Sequence, residues 1–200
     1  MNGQRLQTLT DGWNRFWFVP STAETLAVMR MLTGALLLYT HAVWTAELPT
    51  FFGPQSIIPQ EFREMLVDGR SFAWSHFDWF ESPIWLWGTH VVALLVFAMF
   101  TVGLWTRFTS VLAFMFVVSY ANRATGALFG LDQINAFLTL YLAISDCGSL
   151  YSVDRWRQTS TGQSRGVPAT VANTIGTRLI EVHMCIVYLF AGLGKLQGST

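Results

Sequence analysis

The sequence predicts an all-α, polytopic transmembrane helical bundle of about five spans, with an amphipathic interfacial segment in its first long loop. Three observations lead there. Hydrophobic residues make up 52% of the 200 residues while Asp, Glu, Lys and Arg together reach 12%, about half the charged share of an ordinary soluble domain. The mean hydropathy is +0.40. Apolar runs recur along the chain, and about 20 apolar residues cross a hydrocarbon core about 30 Å thick. Helices satisfy their backbone polar groups internally, so lipid can solvate whatever face no neighbour covers. The same composition excludes a disordered chain, which needs low hydrophobicity and high net charge. Twelve basic and twelve acidic residues cancel, leaving no global field to hold nucleic acid. Two cysteines exclude a disulfide scaffold and a paired-cysteine metal knuckle.

Residues 1–20 read as a cytoplasmic or interfacial segment, and residues 21–198 as the membrane domain. The first span covers 22–44. Pro20 and Ser21 precede it, and Glu24 lies three residues after Ser21, the spacing of a capping box. Its apolar stretch is longer than a signal-peptide core and no small-residue cleavage pattern follows, so the helix is retained. Residues 46–81 form an aromatic, amphipathic loop broken by Pro49, Pro54 and Pro59, with a short surface helix expected over Glu61–Val67. The second span, 83–103, starts on Ser82 and Pro83 and is uncharged, with His90 in its middle. A tight turn over Gly103–Arg107 leads into the third span, 105–121, short enough to require tilting against the second. The fourth span, 128–145, carries Asp132, Gln133 and Asn135 in its first turns. Cys147–Thr174 reads as a polar loop with a flexible linker over Thr159–Gly166. The fifth span covers 175–196. Six arginines (5, 15, 107, 155, 157 and 165) fall on one side of this topology and three (63, 70 and 123) on the other. The basic excess places the N-terminus in the cytoplasm, the long first loop outside, and the protein in the cell membrane as a multi-pass inner-membrane type.

A charge at bilayer depth costs at least about 2.5–3.5 kcal/mol on insertion scales, so each intramembrane polar group needs a reason. Arg30 is expected in the inner headgroup region or paired with an acid on a neighbouring helix. His41 and His90 are expected as hydrogen-bonded packing residues. The four histidines (His41, His76, His90 and His183) show no i, i+4 pair and no HExxH pattern, so no metal site is expected. Trp44, Trp85, Trp87, Trp105 and Tyr120 read as interfacial anchors, and Cys185 as an inert core thiol. In the last helix Glu181, Tyr188 and Lys195 recur every seventh residue and share one face. Arg178 lies one turn before Glu181, and Ala191, Gly192 and Gly194 allow close approach of another helix or a ligand. Lys195 has two readings. It is a snorkelling anchor at a helix end, or an amine made neutral by burial among Leu193, Leu196 and aromatic neighbours and able to act as a general base.

Three segments carry a family resemblance. Arg30–Phe62 reads RMLTGALLLYTHAVWTAELPTFFGPQSIIPQEF, Ser145–Trp156 reads SDCGSLYSVDRW, and Arg178–Leu196 reads RLIEVHMCIVYLFAGLGKL. In this order they resemble the HTTM ("horizontally transferred transmembrane") domain, the membrane domain shared with vitamin K-dependent gamma-glutamyl carboxylase, over about residues 25–198. Ser56-Ile57-Ile58-Pro59 stands where that family has a Gly-Val-Leu-Pro element. Tyr188 to Leu196 follows its Tyr-x-x-Ala-Gly-x-x-Lys-Leu motif. The resemblance implies that Lys195 is the base that deprotonates a vitamin K-type hydroquinone, whose oxygenation yields a base strong enough to remove a glutamate γ-proton before carbon dioxide adds. The sequence departs from the carboxylase at three points. Gly194 stands where a second lysine is expected. Leu131, Asp132 and Gln133 occupy the place of a histidine near the start of the fourth helix. The chain ends at Thr200, so the domain is expected to be incomplete at its C-terminus. Family membership does not by itself give a reaction. The leading expectation is therefore a multi-pass membrane protein of this family, of undefined activity, that binds a quinone or lipid between its helices. The alternatives are a carboxylase-like enzyme using Lys195, and a membrane partner subunit that supplies helices to another protein. The expected partners are the lipid bilayer, a quinone or lipid and a membrane protein, and not nucleic acid.

Overall fold

The computed structural model describes residues 2–53, 56–57, 65, 74–79, 82–124, 129–162 and 166–198. Among these the chain is helical: α1 (Asn2–Phe18), α2 (Glu24–Trp44), α3 (Leu48–Phe52), α4 (Pro83–Val102), α5 (Thr106–Arg123), α6 (Gly130–Ile144), α7 (Val153–Ser160) and α8 (Val171–Gln197), with single 3-10 turns at Thr45–Glu47 and His76–Asp78. Apart from Met65, the surface helix expected over Glu61–Val67 lies outside the described residues, as does the centre of the Thr159–Gly166 linker.

Three helical stretches are long and apolar enough to cross a membrane: Glu24–Phe52, Pro83–Val102 and Val171–Leu196. The third and fourth expected spans are helices in the expected places, but they fall short of that measure. α5 has 18 residues and carries Arg107, Ser110, Ser119, Asn122 and Arg123. α6 has 15 residues, about 22 Å at the usual helical rise.

α2 packs on α4, α4 on α5, α5 on α6, and α6 on α8, while α1 lies along α8. The shared core includes Leu26, Leu37, Phe97, Phe100, Val117 and Leu142. α2 and α4 approach closely at Gly34, where a Cβ would stand 2.5 Å from Thr101 Oγ1. Any larger residue would push the two helices apart.

Local chemistry explains where the elements differ from expectation. Ser21 does not cap α2; the N-cap is Ala23, with no side-chain hydrogen bond. Ser21 is occupied elsewhere. Its backbone forms an isolated antiparallel bridge with Thr170, its carbonyl accepts from Asn173 Nδ2 at 3.1 Å and its hydroxyl from Thr174 Oγ1 at 3.0 Å. α8 starts one turn earlier than expected because the Thr170 hydroxyl accepts from Asn173 N at 3.2 Å, a side-chain N-cap. The loop after α6 contains a helix, α7, capped by Ser152 through Arg155 N at 2.9 Å. Asp154 on α7 accepts from Trp105 N at 2.9 Å, Thr106 N at 2.8 Å and Thr106 Oγ1 at 2.9 Å. That carboxylate caps the N-terminus of α5, where orphan N–H groups favour an anion.

Arg30 is fully buried, and its partners are backbone carbonyls, two of them at the end of α4, rather than a carboxylate. Nη1 donates to the carbonyls of Phe100 at 3.0 Å and Thr101 at 3.3 Å, and Nη2 donates to Tyr151 O at 2.6 Å. The last carbonyls of a helix have no intrahelical donor. Arg30 supplies that donor to α4 and ties the α6–α7 link to the same point. Gly103 ends α4 in the left-handed region (φ +73°), and a Cβ there would collide with Arg30 Nη1.

Candidate functional site

The end of the bundle reached by residues 45–53 and 74–79, the loop end, gathers three histidines around one tyrosine. Tyr120, on α5, is 1% exposed. Its ring lies 4.6 Å from His41 of α2, 5.7 Å from His76 and 6.0 Å from His90 of α4, with Phe52 and Phe77 at 5.1 and 5.0 Å. The hydrogens can be assigned by counting donors. Thr45 gives its hydroxyl hydrogen to His41 O at 3.1 Å, so at the 2.9 Å contact His90 Nε2 must donate to Thr45 Oγ1. His90 Nδ1 is then the acceptor, and Tyr120 donates its O–H to it at 2.7 Å. His41 Nδ1 donates to Leu37 O at 2.8 Å. His41 and His90 are therefore hydrogen-bonded packing residues, as expected. Tyr120 is not an exposed anchor but a fully buried part of the core, and the partly buried Trp44 packs on His41 at 4.7 Å and Phe52 at 5.4 Å. Trp87 and Trp105 do stand exposed.

The turn at His76 is fastened to α5. Ser75 Oγ donates to Ser119 O at 3.0 Å, His76 N donates to Ser119 Oγ at 2.8 Å, and His76 Nδ1 lies 2.5 Å from the same hydroxyl. One turn further along α5, Asn122 Nδ2 donates to Trp74 O at 2.9 Å. Arg123 is a second buried arginine, and Nη2 donates to Gly53 O at 2.9 Å and Ser56 Oγ at 2.7 Å. Ser119, Asn122 and Arg123 recur at helical spacing and so present one face to the loop. From α4, Trp85 Nε1 donates to His76 O at 2.9 Å. Burial pushes the His76 imidazole down to about 4, so it is neutral at ordinary pH.

This turn encloses an aromatic cavity of about 190 Å³, walled by Trp74, His76, Trp79, Trp85, Leu112 and Phe116. Trp79 bridges the other two tryptophans, 6.1 Å from Trp74 and 6.2 Å from Trp85. Trp85, Thr89 and Phe116 also wall a larger groove of about 780 Å³ that runs along α4 past Ile84, Gly88 and Val92. The two spaces share these walls and lie side by side as open, apolar clefts along α4. At the opposite end of the bundle a polar cavity of about 460 Å³ lies among α5, α7 and the links flanking α7. There Arg107 pairs with Asp146 at 3.1 Å.

Lys195 is not brought to either site. It stands exposed on the last turn of α8 with Leu193 and Leu196, and Gly192 and Gly194 face open space. Arg178 and Glu181 form an exposed ion pair at 2.6 Å, and Arg178 also lies over the Phe16 ring at 4.6 Å. Cys185 is exposed, contrary to the core position expected. Cys147 is the buried thiol, pushed up to about 11 by desolvation, and donates to Leu142 O at 3.3 Å. His183 meets Tyr141 OH at 3.0 Å, and its ring lies tilted against Phe137 at 4.1 Å. Among the described residues no group of three His, Cys, Asp or Glu could hold a metal ion.

No family model, curated protein or solved structure matches the chain.

Sequence reasoning did not find the groove. Its polar member, His76, lies in the loop, and its tryptophans come from two separate segments. A usable signal was the density of tryptophan over Trp74–Trp87. That run exceeds what anchoring one helix end requires.

Proposed function

We propose that this chain is a multi-pass integral membrane protein of HTTM-like type that holds a quinone or another membrane lipid in the groove between α4 and α5. The observation that carries the reading is the open apolar groove itself. It follows the exposed, lipid-accessible side of the most hydropathic helix and shares walls with a tryptophan-lined cavity of about 190 Å³. Apolar sites with few polar groups suit hydrophobic ligands. In this reading α5 and α6 complete five crossings, the N-terminus is cytoplasmic and the loop end is external. Lys195 serves as a snorkelling anchor. Val171 to Lys195 extends about 36 Å at the helical rise, beyond a hydrocarbon core of about 30 Å. The amine therefore reaches the external headgroups.

Two experiments test this. The protein should resist alkaline carbonate extraction from membranes, and a reporter fused after Thr200 should be external. Purified protein should carry lipid or quinone that organic extraction and mass spectrometry reveal, and Gly88→Trp should expel it. Gly88 lies in the groove wall with no atom within 4 Å of a Cβ, so a tryptophan there fills the groove rather than the core. Release from membranes by carbonate, or equal lipid content in the wild type and Gly88→Trp, would overturn the reading.

A further inference from the structure

The polar cavity of about 460 Å³ lies at the end of the bundle opposite the histidine cluster, the cytoplasmic end in the orientation proposed above. Its walls carry two arginines, Arg107 and Arg155, and two carboxylates, Asp146 and Asp154. The two signs do not cancel within the cavity. Both oxygens of Asp154 are turned to the start of α5, where Oδ1 accepts from Trp105 N and Oδ2 accepts from Thr106 N and Thr106 Oγ1. That anion is matched by the positive end of the helix. Asp146 alone answers two guanidinium groups.

Arg107 is anchored through one nitrogen. Nη1 donates to Ser145 O at 3.1 Å and meets Asp146 Oδ1 at 3.1 Å. Nε and Nη2 make no hydrogen bond among the described residues, and the side chain is 64% exposed. A guanidinium holds five N–H donors in a rigid fork. Anchoring one nitrogen therefore steadies the others, and such a fork matches two oxygens of one phosphate.

The neighbouring side chains set the depth of this site. Trp105 and Phe108 flank Thr106 and Arg107, and Trp156 follows Arg155. All three rings are more than half exposed. Exposed tryptophan beside arginine is the composition of a membrane–water interface. A cationic cavity at that depth suits a ligand whose head is charged and whose tail lies in hydrocarbon.

We infer that this cavity binds the head of an anionic phospholipid of the cytoplasmic leaflet, with Arg107 and Arg155 holding its phosphate. Gln158 lies one turn of α7 beyond Arg155 on the same wall and offers its amide to the hydroxyls of the head. Basic pockets on the cytoplasmic side of helical membrane proteins suit such heads. The site is separate from the groove between α4 and α5 and rests only on the membrane placement.

The test uses the full-length protein in detergent, with native mass spectrometry counting bound lipid. The probes are a phosphatidylglycerol, the diacylglycerol with the same chains, and glycerol phosphate in free solution. One phosphatidylglycerol per chain should be retained at a mole fraction at least about tenfold below that needed for the diacylglycerol, the ratio given by one charge-assisted hydrogen bond. Arg107→Gln should abolish the preference. Gly166→Trp should do the same with both arginines kept. Gly166 lines the cavity, is exposed and has no atom within 4 Å of a Cβ, so the indole occupies the site without disturbing the core. Arg178→Gln removes an exposed arginine outside the cavity and should leave the preference unchanged. Equal retention of the two lipids by the wild type, a preference that survives Arg107→Gln or Gly166→Trp, or an equal loss in Arg178→Gln overturns the site. Glycerol phosphate that displaces the bound lipid as readily as added phosphatidylglycerol overturns the lipid assignment and leaves a site for soluble phosphate esters. None of these results bears on the groove, which Gly88→Trp tests.

Discussion

The helices of the bundle and the distal half of α8 are about equally apolar and are handled in opposite ways. Mean hydropathy is 1.4 over the α2–α3 stretch, 1.8 in α4 and 1.6 in α8, but 39% and 33% of the first two windows are buried against 6% of the third. Apolarity therefore does not decide which helices associate. In hydrocarbon it cannot, because lipid tails solvate leucine as well as another leucine does. The polar residues separate the two regions. α2 and α4 carry Arg30, His41 and His90, each buried and each bonded to another element or to its own helix. The distal half of α8 offers Ile186, Leu189, Phe190, Leu193 and Leu196 and no polar group until Lys195, apart from Tyr188. Polar groups that lipid cannot satisfy bring helices together.

Substitutions at the two kinds of site should show this contrast most strongly. Arg30→Ala removes the arginine donor from the carbonyls of Phe100, Thr101 and Tyr151, of which Phe100 keeps the Gly103 N–H at 3.2 Å, and opens a void. Thermal unfolding in detergent should report a loss on the order of 3–5 kcal/mol. Arg178→Ala should cost at most about 1 kcal/mol, because its partner Glu181 is exposed. Similar losses for the two would erase the distinction between buried and exposed arginines. Gly103→Ala should cost about 1–3 kcal/mol through its positive φ and its collision with Arg30. Combined with Arg30→Ala the clash with the guanidinium disappears while the positive φ and the 2.5 Å approach to Ser152 Cβ remain, so the double variant should be somewhat less than additive.

Acid tests the loop end separately. His76 is held below its ordinary 6.5, at about 4, by desolvation. The native state therefore resists protonation and the unfolded chain accepts it. The contribution of His76 is complete above about 6.5 and is lost as the pH falls from there through about 4. The midpoint of unfolding should drop over that window, and His76→Phe should flatten that part of the profile. Tyr120→Phe should cost about 1 kcal/mol by deleting the bond to His90, read from urea or thermal unfolding. Leu193→Ala and Tyr188→Ala should have the smallest effect, within about 0.5 kcal/mol. A large loss there would mean that another protein covers α8.

The helical class and the positions of the long helices were legible because hydropathy and length are local properties. Ser82 and Pro83 also marked the start of α4 correctly. Ser21 misled, because its hydroxyl had a second claimant about 150 residues away, and no local pattern reveals a distant competitor. α7 was hidden in a polar segment whose serine caps it locally and whose carboxylate binds across to α5. The histidine–tyrosine cluster was partly readable. Antiparallel spans bring His41, His90 and Tyr120 to one depth, a match visible once helix directions are set. His76 was not readable, since its place depends on Ser119 holding a loop that has no period of its own.

The bridge between Ser21 and Thr170 bears on how the molecule is made. It joins the entry of α2 to the entry of α8, so Ser21 receives its partner only after about 150 further residues have been made. At about 5–20 residues per second, the ribosome takes roughly 7–30 s to cover that interval. For that time the carbonyls of Val19 and Ser21, later bonded by Thr174 and Asn173, depend on water or insertion factors.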